Sequence, residues 1–221
     1  MLHTYFCFNY FFMKNFLLIA TTAVFFVSCS NSSNTGKTFC DTTCVQDSIR
    51  FRGDAGQALA ISINNCKPDA IVWENRSAKR IIDFGEYLNK DVKINSSYAN
   101  CFFQDSSAWL SFNDCINGRG YLLKLPYSKT APIRTIRSAL NSFDKKFSID
   151  PDLRAYTDGG NIFVFNVKSN AEAQMTFKEA YQIDYEDIHR TIDSINVTKN
   201  RIYVKLLKDG QEVPIEKNIN L

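Results

Sequence analysis

Residues 152–177 read DLRAYTDGGNIFVFNVKSNAEAQMTF, and apolar and polar side chains alternate on either side of Asp158-Gly159-Gly160-Asn161. A period of two places every other side chain on one face, the pattern of a half-buried strand. Asp-Gly reaches positive φ cheaply, so the tetrapeptide reads as a tight turn between strands over 153–157 and 162–167. Lys168-Ser169-Asn170 then turns the chain into a third strand over 171–177. Together these make an antiparallel meander with short local turns.

The same plan recurs in both directions. Downstream, strands over 195–198 and 201–207 flank Lys199-Asn200, and Lys208-Asp209-Gly210 leads into 213–219. Upstream, Ile61-Ser62-Ile63-Asn64-Asn65-Cys66 is echoed by Leu110-Ser111-Phe112-Asn113-Asp114-Cys115. A turn follows each, Lys67-Pro68-Asp69 or Asn117-Gly118-Arg119-Gly120, and then a second apolar run, 70–73 or 121–125. The second strands start near residues 70, 121, 162 and 202, so the repeat unit is a small meander. The expected fold class is all-β, built mainly of antiparallel meanders in a propeller-like or sandwich arrangement, with one or two short helices. The segment 153–177 resembles a blade of the TolB or dipeptidyl-peptidase type of β-propeller, and that resemblance implies a small closed propeller of four units.

Two stretches read as helical. Over 133–143, Ile136, Leu140 and Phe143 share one helical face. Over 184–195, Asp184 caps the first turn, Ile183 staples against Ile188, and Ile188, Ile192 and Ile195 form an apolar stripe.

Residues 13–29, MKNFLLIATTAVFFVSC, carry one basic residue, Lys14, ahead of an apolar run over 16–27. That run fits a signal h-region and is shorter than the roughly 20 apolar residues of a spanning helix. Ser28-Cys29-Ser30 and a polar tract follow. The stretch resembles the signal of bacterial lipoproteins, which implies a diacylglycerol on the Cys29 thiol and cleavage just before it. It departs from that pattern at Phe26, where leucine is usual. Residues 1–12 hold no Lys or Arg, which suggests a true start at Met13. An uncleaved anchor and ordinary cleavage are the alternatives, and all three readings put the domain outside the cytoplasm. The expected organisation is a leader over 1–29, a flexible Ser/Asn-rich spacer over 30–39, and one β-rich domain over 40–221. The expected location is the bacterial cell envelope, membrane-anchored and exposed to the periplasm or the cell surface.

After the leader, 25 basic and 23 acidic residues leave a charge near neutral, which argues against a nucleic-acid partner. Cys40, Cys44, Cys66, Cys101 and Cys115 all lie in the first half of the domain. In an oxidising compartment five such cysteines read as two disulfides and one free thiol, with the pairing open. The Cys40-x-x-x-Cys44 pair is also close to zinc-ligand spacing, but it lacks a second close pair or a nearby histidine.

His189 is the only histidine after the leader. On a helix it would neighbour Tyr185, Glu186 and Asp193, and a carboxylate there could orient it as a general base. No nucleophile elbow, His-x-x-x-His or phosphate loop accompanies it, so no catalytic residue, cofactor or metal is assigned. Asp150, Asp152 and Asp158 lack calcium-loop spacing. Trp73, Trp109, Tyr121, Tyr127 and Phe163 are either core or a platform for a glycan or a peptide. The expected role is a non-catalytic binding or structural module of the envelope. Its partners would be the membrane, through the lipid, and a protein or glycan ligand. An extracytoplasmic hydrolase and a cysteine-based redox or metal module are the alternatives.

Overall fold

The computed structural model describes residues 38–88, 91–177, 183, 184 and 187–221. The leader, Cys29 and most of the spacer lie outside the described residues.

The described chain is all-β, with four sheets of four strands each. Sheet A is the meander β1 (Ile49–Arg52), β2 (Ala58–Asn64), β3 (Lys67–Glu74) and β4 (Lys79–Asp83). Sheet B repeats it with β5 (Ala99–Phe103), β6 (Ser107–Asn113), β7 (Gly120–Pro126) and β8 (Arg134–Ile136). The chain then enters β9 (Ala139–Leu140), the first edge of sheet C, and leaves at once for β10 (Phe147–Ile149) in sheet D. It returns to complete sheet C with β11 (Leu153–Asp158), β12 (Asn161–Asn166) and β13 (Glu172–Met175). Sheet D ends the fold with the meander β14 (Ile192–Thr198), β15 (Arg201–Lys208) and β16 (Gln211–Asn218). Strand β10 lies along β14, and this is the parallel pairing; the other pairings are antiparallel. Because β10 is supplied from inside sheet C's own sequence, sheets C and D are interlocked.

Local chemistry explains the turns. Asn65 and Cys66 hold φ of 49° and 62° between the paired residues Asn64 and Lys67, a two-residue turn of the left-handed kind that suits strand twist. The turn therefore falls just before Lys67-Pro68-Asp69, where the sequence pattern placed it, and Pro68 sits in the strand beside a register shift. Gly159-Gly160 and Asp209-Gly210 make the equivalent turns of sheets C and D.

Packing joins the sheets in chain order. One buried cluster unites Leu59, Ile61, Ile71 and Trp73 of sheet A with Leu110, Phe112, Tyr121, Leu123 and Leu125 of sheet B. A second puts Trp109, Leu122 and Ile136 of sheet B against Phe165 and Val167. A third joins Leu153, Ile162 and Val164 of sheet C to Ile195, Val197, Ile202 and Val204 of sheet D. Among the described residues no buried cluster joins sheet A to sheet D. Burial agrees with this order: β6 is buried along its whole length, whereas β2 and β15 alternate, as strands with one wetter face do. The sheets thus follow one another like propeller blades, but their described cores form an open series.

Neither expected helix is present among the described residues. Arg134–Ile136 is β8 and Ala139–Leu140 is β9, so Ile136 and Leu140 enter different cores. Among the described residues of the second stretch, Ile188–Arg190 make a single turn and residues 192–195 open β14. Among the described residues the remaining helical structure is a four-residue turn over Phe84–Tyr87, capped by Asp83, and a turn over Ser96–Tyr98.

Two disulfides, Cys40–Cys115 and Cys44–Cys66, brace the first two sheets, and Cys101 is the free thiol of the five. Cys66 lies in the β2–β3 turn and Cys115 comes two residues after β6, so the repeated motif delivers both cysteines to the same end of neighbouring sheets. The segment carrying Cys40 and Cys44 straps that end, with the Phe39 ring against Tyr98 at a centroid distance of 5.4 Å. Constraining the unfolded chain in this way is worth about 4.5 kcal/mol for the longer loop and about 3.4 kcal/mol for the shorter in the chain-entropy account. Such bonds persist in oxidising surroundings, so the domain belongs to an extracytoplasmic compartment.

Candidate functional site

Strand direction decides which loops meet. In an antiparallel meander the turn after the second strand and the exit from the fourth lie at the same end. The β6–β7 turn, the β8–β9 crossing and the β11–β12 turn therefore gather beside the disulfide strap. They supply Arg119, Arg137 with Ser138, and Asp158, and β8 and β11 add Arg134 and Tyr156. Together these residues line an open cleft of about 350 Å³ between sheets B and C.

The guanidinium groups are oriented by neutral acceptors. Arg134 Nη2 donates to Tyr156 Oη at 2.7 Å, with its guanidinium carbon 5.2 Å from the ring centre. Arg137 Nη2 donates to the Tyr87 carbonyl at 3.0 Å. Arg119 Nε donates to the Arg137 carbonyl at 2.7 Å. Asp158 is the one carboxylate among the lining residues. Behind Tyr156, the half-buried Phe163 ring stacks at 5.2 Å with an interplanar angle of 10°. The cleft thus combines planar cationic forks with an aromatic surface, a set suited to a ligand bearing a carboxylate or a phosphate.

His189 lies in a neighbouring crevice lined by Phe39, Asp144, Phe147 and Ile188. It is on the turn before β14 rather than on a long helix. Its Nε2 is 2.6 Å from Asp144 Oδ2 and its Nδ1 is 3.2 Å from the Ile192 carbonyl. Both partners accept, so the ring satisfies both only as an imidazolium that donates twice. The Asp144 hydrogen bond holds the His189 pKa above its usual value, against the opposing effect of burial. Burial pushes the Asp144 carboxyl up, but the bonds from His189 and the Lys146 amide outweigh it and leave the group below its usual value. A ring with both nitrogens engaged has no lone pair to take a substrate proton, so in this geometry the pair is structural. Of the neighbours expected on a helix, Asp193 pairs with Lys146 at 2.7 Å, and Tyr185 and Glu186 lie outside the described residues.

The other expected site residues scatter. Cys40 and Cys44 enter separate disulfides and do not form a pair. Cys101, one of the five bridge candidates, stays reduced, and burial pushes its thiol up to about 12. Trp73, Trp109, Tyr121 and Tyr127 are core residues, all under 5% exposed, which leaves Phe163 alone of the five at a half-open surface. Trp73 Nε1 donates to the Pro126 carbonyl at 3.0 Å and so ties sheet A to sheet B.

The chain matches no known family model and no curated protein sequence. The cleft therefore stands on its own geometry. Its arginines were not legible as a motif, because Arg119 lies in the β6–β7 turn, Arg134 on strand β8 and Arg137 in the crossing after it. Asp144, 45 positions from His189, carried no signal either. Arg119, Arg137, Asp144 and His189 all lie between strands, so no local pattern marks them.

Proposed function

We propose that this protein is a lipid-anchored module of the bacterial cell envelope, acylated on Cys29, that binds a ligand without turning it over. The observation that carries the binding role is the cleft between sheets B and C, where oriented arginines and Tyr156 open to solvent while His189 is closed off by Asp144 and Ile192. The disulfide bracing supports an address outside the cytoplasm, and the leader over 13–29 supports the lipid. No helix among the described residues is long and apolar enough to cross a membrane.

The test is the intact mass of protein purified from membranes. The reading expects a chain beginning at Cys29 with a diacylglycerol adduct, and Cys29→Ser should abolish the adduct and release the chain from the membrane fraction. An unlipidated chain that retains residues 13–28 would favour an uncleaved anchor instead.

A further inference from the structure

We infer that the cleft between sheets B and C takes an acidic saccharide, its carboxylate held by Arg134 and Arg137 and its ring packed against the open edge of Tyr156. The inference rests on the non-catalytic binding role proposed above and names the ligand class of that site.

Charge comes first. Three arginines and one aspartate line the cleft, an excess of positive charge at one place on a chain whose two signs otherwise nearly cancel. Among the described residues no carboxylate pairs with the guanidinium of Arg134 or Arg137. Each instead gives one N–H to a neutral oxygen, Tyr156 Oη or the Tyr87 carbonyl. A guanidinium has five N–H donors in a planar fork, so one such bond orients the group and leaves donors for a planar oxyanion. By contrast, Lys146, Lys168, Lys199, Arg201 and Lys205 all have carboxylate partners within 4 Å and are already neutralised.

Shape comes second. Tyr156 and Phe163 lie side by side on the face of sheet C that looks toward sheet B, in register across β11 and β12. Both are only half-buried, unlike the core aromatics. With Arg134 over one face of Tyr156 and Phe163 stacked on the other, the pair presents its ring edges beside the cations, and the apolar C–H groups of a sugar ring can pack against them. An inorganic ion would use the arginines alone, whereas an acidic saccharide uses both halves.

The test is calorimetric titration of the full, detergent-solubilised chain at low salt with a galacturonate trisaccharide, its methyl ester and sodium phosphate. Saturable binding of the acid is expected, with the ester and the variants Arg134→Gln and Arg137→Gln each weaker by about tenfold or more, as loss of a charge-assisted pair implies. Both arginines are exposed, so an unchanged thermal midpoint controls for folding. Arg50→Gln, which removes the same charge from the outer face of sheet A, should bind like the parent. Equal affinity for acid and ester, unchanged binding in both variants, or no binding would overturn the assignment. Phosphate binding as tightly as the trisaccharide would overturn it in favour of a simple ion site. Chromatography of the same mixtures separates the two readings: cleavage of the trisaccharide would end the non-catalytic role, whereas intact but unbound sugar ends only the ligand assignment.

Discussion

His189 Nε2 donates to Asp144 Oδ2 at 2.6 Å, across 45 residues of sequence and from the approach to sheet D back to the loop before β10. The bond closes the interlock between sheets C and D at the strapped end. His189 has its pKa raised on folding, so its stabilisation is complete below the unfolded value near 6.5 and is lost as pH rises through the folded value. Asp144 has its pKa lowered, so its contribution is present above the unfolded value near 3.8 and is lost as pH falls through the folded one. The pair therefore works best between about pH 4 and pH 6.5. His189→Gln should cost about 1–2 kcal/mol there, a charged hydrogen bond discounted because the imidazole is a third exposed. Urea melts from pH 5 to pH 9 check this: the gap between parent and variant should narrow as pH rises. A gap that widens with pH would mean the ring is neutral in the folded protein.

The disulfide strap leads to an order of effects. Replacing Cys40 and Cys115 together by serine opens a 75-residue separation, against 22 for Cys44 and Cys66. The first pair should cost more, by about 1 kcal/mol on loop entropy alone. Denaturant midpoints of the two double variants decide it. The reverse order would show that the strap acts mainly by holding the β2–β3 turn, where Cys66 sits at positive φ.

Cys101 should behave as an inert thiol. Burial raises it to about 12, with Arg154 only partly opposing, so almost none is thiolate near neutral pH. Iodoacetamide at pH 8 should leave it unmodified in the folded protein for hours and label it rapidly in urea, without reductant, as read by peptide mass. Fast labelling of the native chain would mean that β5 opens locally.

The meanders were readable because each has a period of two interrupted by Gly, Asn or Asp, and both properties are local. The two failed helices have separate physical origins. Ile192, Ile195 and Val197 all face the same core, although strict alternation cannot put residues three apart on one side. A register shift between Ile192 and Ser194 inserts one residue and resets the phase, so a bulged strand imitates a helical stripe. Over 133–143 the spacing of Ile136 and Leu140 is helical by coincidence, because the chain changes sheets between them. Which edge adopts β10, and which loops meet at the cleft, depend on contacts between distant segments and leave no trace in a local pattern.

Asn141 gives a further prediction from that crossing. Its buried amide donates to the Phe112 carbonyl at 3.0 Å and to Asn113 Oδ1 at 2.8 Å, and it approaches the Tyr121 carbonyl at 3.3 Å. Asn141→Leu is close in size but strands these acceptors and should cost about 2–4 kcal/mol, more than a surface substitution by several-fold. Thermal unfolding is the readout. A loss under 1 kcal/mol would imply that water replaces the amide.

Two glycines test how closely sheets B and C approach. A Cβ at Gly120 would fall 2.0 Å from the Ala139 carbonyl oxygen and 3.2 Å from Asn141 Nδ2. The closest atom is backbone and cannot rotate away, so Gly120→Ala must push β7 from β9 and disturb the Asn141 bonds. Its cost should reach or pass the upper end of the usual overpacking range, about 3 kcal/mol. Gly159, at φ +53° in the β11–β12 turn, meets nothing within 4 Å. Gly159→Ala therefore suffers only left-handed strain, about 1 kcal/mol. Both substitutions add one methyl group, so the difference isolates steric contact from backbone preference. Urea melts of the two variants at one pH should separate them by about 2 kcal/mol, with Gly120→Ala the weaker protein. Equal losses would mean that β7 and β9 can part without cost, and the arginine cleft between their sheets would then not be held rigid.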